Sequence, residues 1–379
     1  MPTKLLWTLR AVAALILAAC SFPAHAAEKR PMWVGIWSGT IGNAAIRVCL
    51  TERTYLETPV KGSGAYYYMK YLKPLHLEQE DAKTWVETAG GALQAGDPRW
   101  KMERVTGNAL SGRWITASRN LPIRLKRLSA DSDCGSQTFN QPRFTPFVVR
   151  QQAAELDGRK YVKLSSSAGK HLDLSFESFQ LADAGAAIGK VNEALREKVP
   201  VGHQKANFFE CLTGALSSNG YDGDYGEFLQ PIMLTRDWLS ASYSSGGYCG
   251  GAHPFHGSSM LTFDLRSGEK VDLQGWLNEK AFGEKSQFQD SPPFSDVLRK
   301  FLVAHWPVER EGDAECREAA SESNYWDVGL ERKGISFTPE MPHVLTACAN
   351  PVVVPYAEIG PYLNDTGKVG VKSVMANLR

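Results

Sequence analysis

The sequence predicts an all-β barrel-like or sandwich domain followed by an α+β domain, an antiparallel sheet with packed helices. Three observations predict it. Residues 31–130 carry short period-2 apolar runs at even spacing, with glycine turns and no clear helical period. Residues 131–158 are turn chemistry and prolines, which read as a linker. Residues 159–379 mix strand patterns with helical ones, the grouping expected of an α+β layer.

The first region opens on Trp33-Val34-Gly35-Ile36-Trp37-Ser38-Gly39. Ile46, Val48 and Leu50 then alternate with Arg47 and Cys49, a half-buried strand. Tyr66-Tyr67-Tyr68, Trp85-Val86-Glu87, Trp100–Glu103, Leu110–Trp114 and Pro122–Leu128 continue the series, so seven or eight strands are expected. Gly35/Trp37 and Gly112/Trp114 echo one another, as do Ile46-Arg47 and Ile123-Arg124, which would mark opposite ends of a closing barrel. The Gly-x-Trp is similar to that of calycin barrels over only three residues, and tryptophans plugging the barrel floor are the favoured account.

In the second region Tyr161–Leu164 and His171–Phe176 read as strands, and Ile188, Val191 and Leu195 share one face of a helix ending near Pro200. Phe208–Leu216, Phe228–Leu234, Leu239–Tyr243 and Met260–Leu265 read as strands, with a hairpin at Ser267-Gly268 leading to Val271-Asp272-Leu273. Phe294, Val297, Leu298, Phe301 and Leu302 form the apolar face of a second helix. A hairpin across Arg332-Lys333-Gly334 and a short strand at Pro351–Pro355 complete the pattern.

Composition excludes some functions. A net charge of +1 with no long basic run argues against a nucleic-acid partner. Residues 1–26 read as a signal peptide: Lys4 and Arg10, an apolar stretch over 11–19, then Ala24-His25-Ala26 as a cleavage site. Leu17-Ala18-Ala19-Cys20 is a competing lipobox, and lipidation of Cys20 would hold the chain on an envelope membrane. No later stretch approaches the ~18 apolar residues of a spanning helix. The expected location is therefore periplasmic or secreted, with lipid anchoring through Cys20 as the alternative.

Of seven cysteines, six lie beyond the leader: Cys49, Cys134, Cys211, Cys249, Cys316 and Cys348. An even number in an exported chain reads as disulfides. Order along the chain suggests Cys49–Cys134, Cys211–Cys249 and Cys316–Cys348. No C-x-x-C occurs, which disfavours a zinc knuckle or a thioredoxin-type site.

Chemistry concentrates in Ser244–His256, where Gly246, Gly247, Gly250 and Gly251 permit close backbone approach. No Gly-Lys-Ser/Thr follows, so this is not a phosphate loop. Ser245, His253 and Asp264 would make a hydrolytic triad, but the G-x-S-x-G elbow is missing. His253 and His256 would make a metal pair, but Pro254 breaks the helix that normally presents one. A tight turn pinned by Cys249, with His253 hydrogen-bonded to backbone, uses the same residues structurally. Tyr221–Glu227 is an acidic glycine loop whose offsets miss those of an EF-hand. No metal or cofactor is expected.

The order Ser242-Tyr243, Gly250-Gly251-Ala252-His253-Pro254, Phe263-Asp264-Leu265 with Gly268, then Val271 and Leu273, resembles the RsiV-type extracytoplasmic domain of unknown function. Gly334–Phe337 and Val354-Pro355-Tyr356 with Ile359-Gly360 continue the pattern, over about residues 160–365. The domain is also similar to the non-catalytic part of PdaC-type peptidoglycan deacetylases. The resemblance implies an α+β fold, an envelope location and a binding role, since this domain of the RsiV anti-sigma factor binds lysozyme. A non-enzymatic binder of lysozyme or a peptidoglycan fragment is therefore expected, with Gly250, Gly251, Ala252, His253 and Pro254 as the candidate surface. The alternative is an envelope hydrolase around that loop, using His253, Asp264 and Asp222 or Asp224.

Overall fold

A computed structural model describes residues 30–53, 61–88, 94, 96–202, 206–285, 291–307 and 313–378. The leader, with both processing sites and Cys20, lies outside the described residues. The chain is mainly β, and from Trp33 onward it forms one compact unit.

Eight strands close into an antiparallel barrel: β1 (Gly35–Ile41), β2 (Ala44–Arg53), β3 (Lys61–Tyr68), β4 (Leu75–Gln79), β5 (Thr84–Thr88), β6 (Arg99–Val105), β7 (Ala109–Ile115) and β8 (Asn120–Ser129). The two echoed Ile-Arg pairs flank the closing strand, because Ile46 lies opposite Gly39 and Ile123 opposite Ile41. The alternation of β2 sends Ile46, Val48 and Leu50 inward, where Trp37, Tyr66, Trp85 and Trp100 meet them. These side chains are fully buried, so the interior is a packed core rather than a cup. Arg127 stacks over Trp37 at 4.1 Å. The opposite parity also finds cover: Ile36, Cys49, Ala65 and Tyr67 pack on Phe139, Cys134 and Leu216.

The stretch read as linker carries a short helix, α1 (Gln137–Asn140), and its last residues form a strand, β9 (Val148–Leu156). There follow β10 (Arg159–Ser167), β11 (Asp173–Leu181), helices α2 (Ala186–Lys198) and α3 (Ala206–Asn219), then β12 (Asp224–Leu234), β13 (Trp238–Tyr248), β14 (Phe255–Asp264) and β15 (Glu269–Lys270). They form a seven-stranded sheet in the order β15-β14-β13-β12-β11-β10-β9. The sheet was expected to be antiparallel, but β11 and β12 run parallel because α2 and α3 carry the chain across between them. The strand expected over Phe208–Leu216 is part of α3. Phe208, Cys211, Leu212, Ala215 and Leu216 are all buried, at i, i+3, i+4, i+7 and i+8, so the stripe is helical.

Beyond lie α4 (Asp296–Ala304), α5 (Asp313–Glu322), β16 (Trp326–Leu330), β17 (Gly334–Pro339), β18 (Val352–Pro355) and α6 (Asp365–Asn377), with β16-β17-β18 as a second, antiparallel sheet. Ser295 caps α4 by accepting from the Leu298 N–H at 3.2 Å. The three disulfides pair Cys49–Cys134, Cys211–Cys249 and Cys316–Cys348.

Candidate functional site

The Gly250–Pro254 segment joins β13 to β14 at one end of the large sheet. Its base is fastened to α3. Cys249 is bonded to Cys211, and the Gly250 carbonyl accepts from Ser218 Oγ at 3.0 Å and Asn219 Nδ2 at 3.4 Å. Gly250 has a φ of +94°, and a Cβ there would run into Ser218 and the α3 backbone at Ala215. Only glycine meets both conditions. Tyr248 donates its hydroxyl to the Gly251 carbonyl at 3.1 Å. Beyond these ties Gly251, Ala252, His253, Pro254 and Phe255 are exposed.

His253 hydrogen-bonds to the Pro254 carbonyl at 3.0 Å and stacks on His343 at 3.9 Å between ring centroids. That stack joins the loop to the turn at His343–Cys348, which Cys348 ties to Cys316 on α5. Around the pair, Val344 is 87% exposed, Leu345 38% and Phe255 36%. A recess of about 450 Å³ adjoins them, lined by Tyr325, Met341, Pro342 and Leu345 with Glu322 and Glu340 among its walls. Among the described residues neither glutamate makes an ion pair.

Behind Phe255 a run of rings leads inward. Phe255, Tyr225, Phe208 and Phe176 follow one another at 5.7, 5.1 and 4.2 Å. Tyr225 donates to buried Glu227 at 2.8 Å. Burial and that carboxylate push the Tyr225 phenol well above its ordinary range, and burial likewise raises Tyr243.

The structure sets Asp264 far from the Gly250–Pro254 loop. Asp264 ends the strand that Phe255 begins, so about nine residues at ~3.3 Å each put roughly 30 Å between it and Phe255 at the loop's end. Asp264 instead holds Arg266, at 2.9 Å from Nε, and this pair keeps its carboxyl below the usual range. Asp222 accepts from the buried guanidinium of Arg143, and Asp224 starts β12 opposite Tyr248. Among the described residues no cluster of three or more His, Cys, Asp or Glu side chains is placed to hold a metal ion.

No family model and no curated protein matches the sequence. Solved structures similar to parts of it include two DUF3298 family proteins. One is a DUF3298 family member from Bacteroides fragilis, 14% identical, with a TM-score of 0.38 over 61% of this chain and 99% of that one. The other is a DUF3298 family protein from Pseudomonas aeruginosa, 12% identical, with a TM-score of 0.29 over 58% of this chain and 96% of that one. Likeness at this level assigns no role to either partner of the comparison.

The glycine run marks the loop in the sequence, and His343, Val344 and Leu345, which the fold sets beside it, were not among the candidate residues. Phe255 was legible as the residue closing the Gly-rich run. His343–Leu345 stand nearly ninety positions away and carry no periodic signal, so only the tertiary fold places them beside His253.

Proposed function

We propose that this chain is a non-enzymatic binding protein of the cell envelope, whose docking surface is the Gly250–Pro254 loop with the patch at Phe255, His343, Val344 and Leu345. On this reading residues 159–379 act as an RsiV-like α+β domain, and the partner is lysozyme or a peptidoglycan fragment. The observation that carries it is the exposed apolar cluster beside a recess, on a loop whose base is held by a disulfide. Contiguous exposed apolar side chains rimmed by polar ones mark interaction sites. Fixing the loop beforehand lowers the ordering cost of binding. Glu322 and Glu340 favour a basic partner surface. Three disulfides suit an oxidising compartment, either the periplasm or outside the cell, with or without a lipid on Cys20.

Calorimetric titration of the chain from Ala27 with c-type, g-type and i-type lysozymes tests this. Saturable binding that weakens at least about tenfold in Val344→Glu, with the fold retained, is the expected result. Absence of binding to all three, and to soluble peptidoglycan fragments, would remove the proposal.

A further inference from the structure

The recess beside the loop surface has a charge that its apolar rim does not explain. It lies where α5 ends, between the start of β16 and the segment that leaves β17. Glu322 is the last residue of α5, and Glu340 follows the last residue of β17. Trp326 and Pro339 are opposite one another in the antiparallel ladder, so Tyr325 and Glu340 meet one step beyond it. There the Glu340 N–H donates to the Tyr325 carbonyl at 2.9 Å. Ser323 Oγ lies 2.9 Å from the carbonyls of both Tyr325 and Glu340, and the Ser323 N–H donates to the Ala320 carbonyl at 3.1 Å. The end of α5 and the end of the ladder are therefore one fastened frame, which brings Glu322 and Glu340 to the same recess.

Three features favour a cation there. Neither glutamate makes an ion pair among the described residues. The C-terminal end of α5 presents the negative end of its dipole. Asp327 adds a carboxyl close by: burial pushes it up to about 6, and the charge of Glu340 adds to the rise. Among the described residues that line the recess none is a lysine, arginine or histidine. Arg299 donates to the Ser321 carbonyl at 3.0 Å but pairs with Asp296 and is not part of the lining. The rest of the wall includes Met341, Pro342 and Leu345. At about 450 Å³ the space is near the small end of the ~300–1,000 Å³ of ligand clefts. A side chain with an apolar stem and a cationic head matches both parts of that lining.

We infer that the recess takes one arginine side chain of the protein that docks on the loop patch, an inference that rests on the binding role proposed above. The stem lies along Met341, Pro342 and Leu345, and the guanidinium reaches Glu322 and Glu340. Arginine is favoured over lysine because its planar fork can serve two carboxylates at once, whereas an ammonium acts as a point charge. The recess would then set specificity. Exposed Val344 and Phe255 offer area to any apolar partner, while the recess selects one that carries an arginine beside its own apolar patch.

Methyl NMR of the chain from Ala27 with isotope-labelled methionines tests this, with N-acetyl-arginine amide as the probe. Met341 stands in the wall and reports from inside, and Met341→Leu assigns its signal. A saturable shift of that methyl is expected, with weaker binding of the lysine amide and none of the citrulline amide, which keeps the shape without the charge. Glu322→Gln/Glu340→Gln should weaken arginine binding about tenfold. Glu315→Gln/Glu318→Gln, the same charge change elsewhere on α5, should leave it unchanged. All four glutamates are exposed, so both variants should keep their fold, which circular dichroism checks. No shift at Met341, a shift that citrulline matches, lysine binding as tight as arginine, or indifference to the Glu322/Glu340 change would overturn the inference. Lysozyme separates it from the reading it rests on. If lysozyme binds, Glu322→Gln/Glu340→Gln should weaken that binding about tenfold, and equal binding would overturn the anchor while leaving the loop surface in place. Arginine amide bound at Met341 with no lysozyme bound would uphold the recess and remove lysozyme as its partner.

Discussion

Arg143 shows how much one side chain can hold. It is 1% exposed, and its guanidinium donates to the Leu72 carbonyl at 2.9 Å, to Asn140 Oδ1 at 2.7 Å, and to Asp222. It also faces the ring of Tyr67 at 5.7 Å. Burial raises the Asp222 carboxyl while Arg143 opposes the rise, so the pair is stable only as a pair. Arg143→Met should cost about 3–5 kcal/mol in denaturant unfolding, because a buried carboxylate is left alone. Adding Asp222→Asn should recover part of that loss. Asp327 presents the opposite case. Burial pushes its carboxyl up to about 6 from 3.8, although the Met260 N–H donates to it. A raised acid favours the fold when protonated, so its contribution is complete below about pH 4 and is lost as pH rises through about 6. Asp327→Asn should therefore stabilise the chain at pH 7.5 by roughly 1–3 kcal/mol and do nothing at pH 4. Thermal melts at the two pH values decide it, and an equal effect at both would rule out the protonation argument.

At the scale of elements, what the sequence revealed depended on whether burial followed a simple period. The barrel strands were legible because one parity is core and turns recur evenly, as in Ile46, Val48 and Leu50. So was α4, with its apolar stripe and Ser295 cap. In contrast, α3 was misread because Phe208 begins a short apolar run, and its helical stripe shows only in which of those residues are buried. In α6, Gly367 and Gly370 are buried against Trp276, and glycine weakens any helical signal. The loop at Gly250–Pro254 was legible from its glycines, but the parallel pairing of β11 and β12 was not. A parallel pairing that stops midway leaves no mark on either strand's own pattern. The loop's rigidity can be tested at this scale. Gly250→Ala meets both an unfavourable φ and a collision with α3, and should cost about 1–3 kcal/mol. Replacing Cys211 and Cys249 together with serine opens a loop of 38 residues, for which roughly 3–4 kcal/mol is expected. Amide exchange should quicken at Tyr248–His253 in both variants if the base of the loop is what holds it.

For the whole molecule the decisive fact is where the barrel's outer wall goes. A barrel with a filled interior needs no cover on its outside, yet Ile36, Ala65 and Tyr67 are completely buried. Phe139 from α1 and Leu216 from α3 cover them. The Tyr67 hydroxyl donates to the Phe139 carbonyl at 2.6 Å, Arg47 donates to the Thr138 carbonyl at 2.8 Å, and Arg53 reaches the Ser218 carbonyl at the end of α3. His76 lies against Tyr221 at 4.5 Å, and Cys49–Cys134 closes the seam covalently. This contact is built like a core, with fully buried aromatics, arginine hydrogen bonds to backbone carbonyls, and a disulfide. Interfaces between independent domains are more polar than this. The barrel and the large sheet should therefore unfold together. Calorimetry of the chain from Ala27 should give one transition whose van't Hoff and calorimetric enthalpies agree. A chain cut to begin at Ser136 should lose the fold of α3 as well as the barrel. Because α3 carries Cys211, Ser218 and Asn219, the cut chain should also release the Gly250–Pro254 loop and any binding that depends on it. Two separated transitions, or a cut chain that keeps its native circular dichroism and its loop protection, would mean that the seam joins two independent folding units and that the loop owes nothing to the barrel.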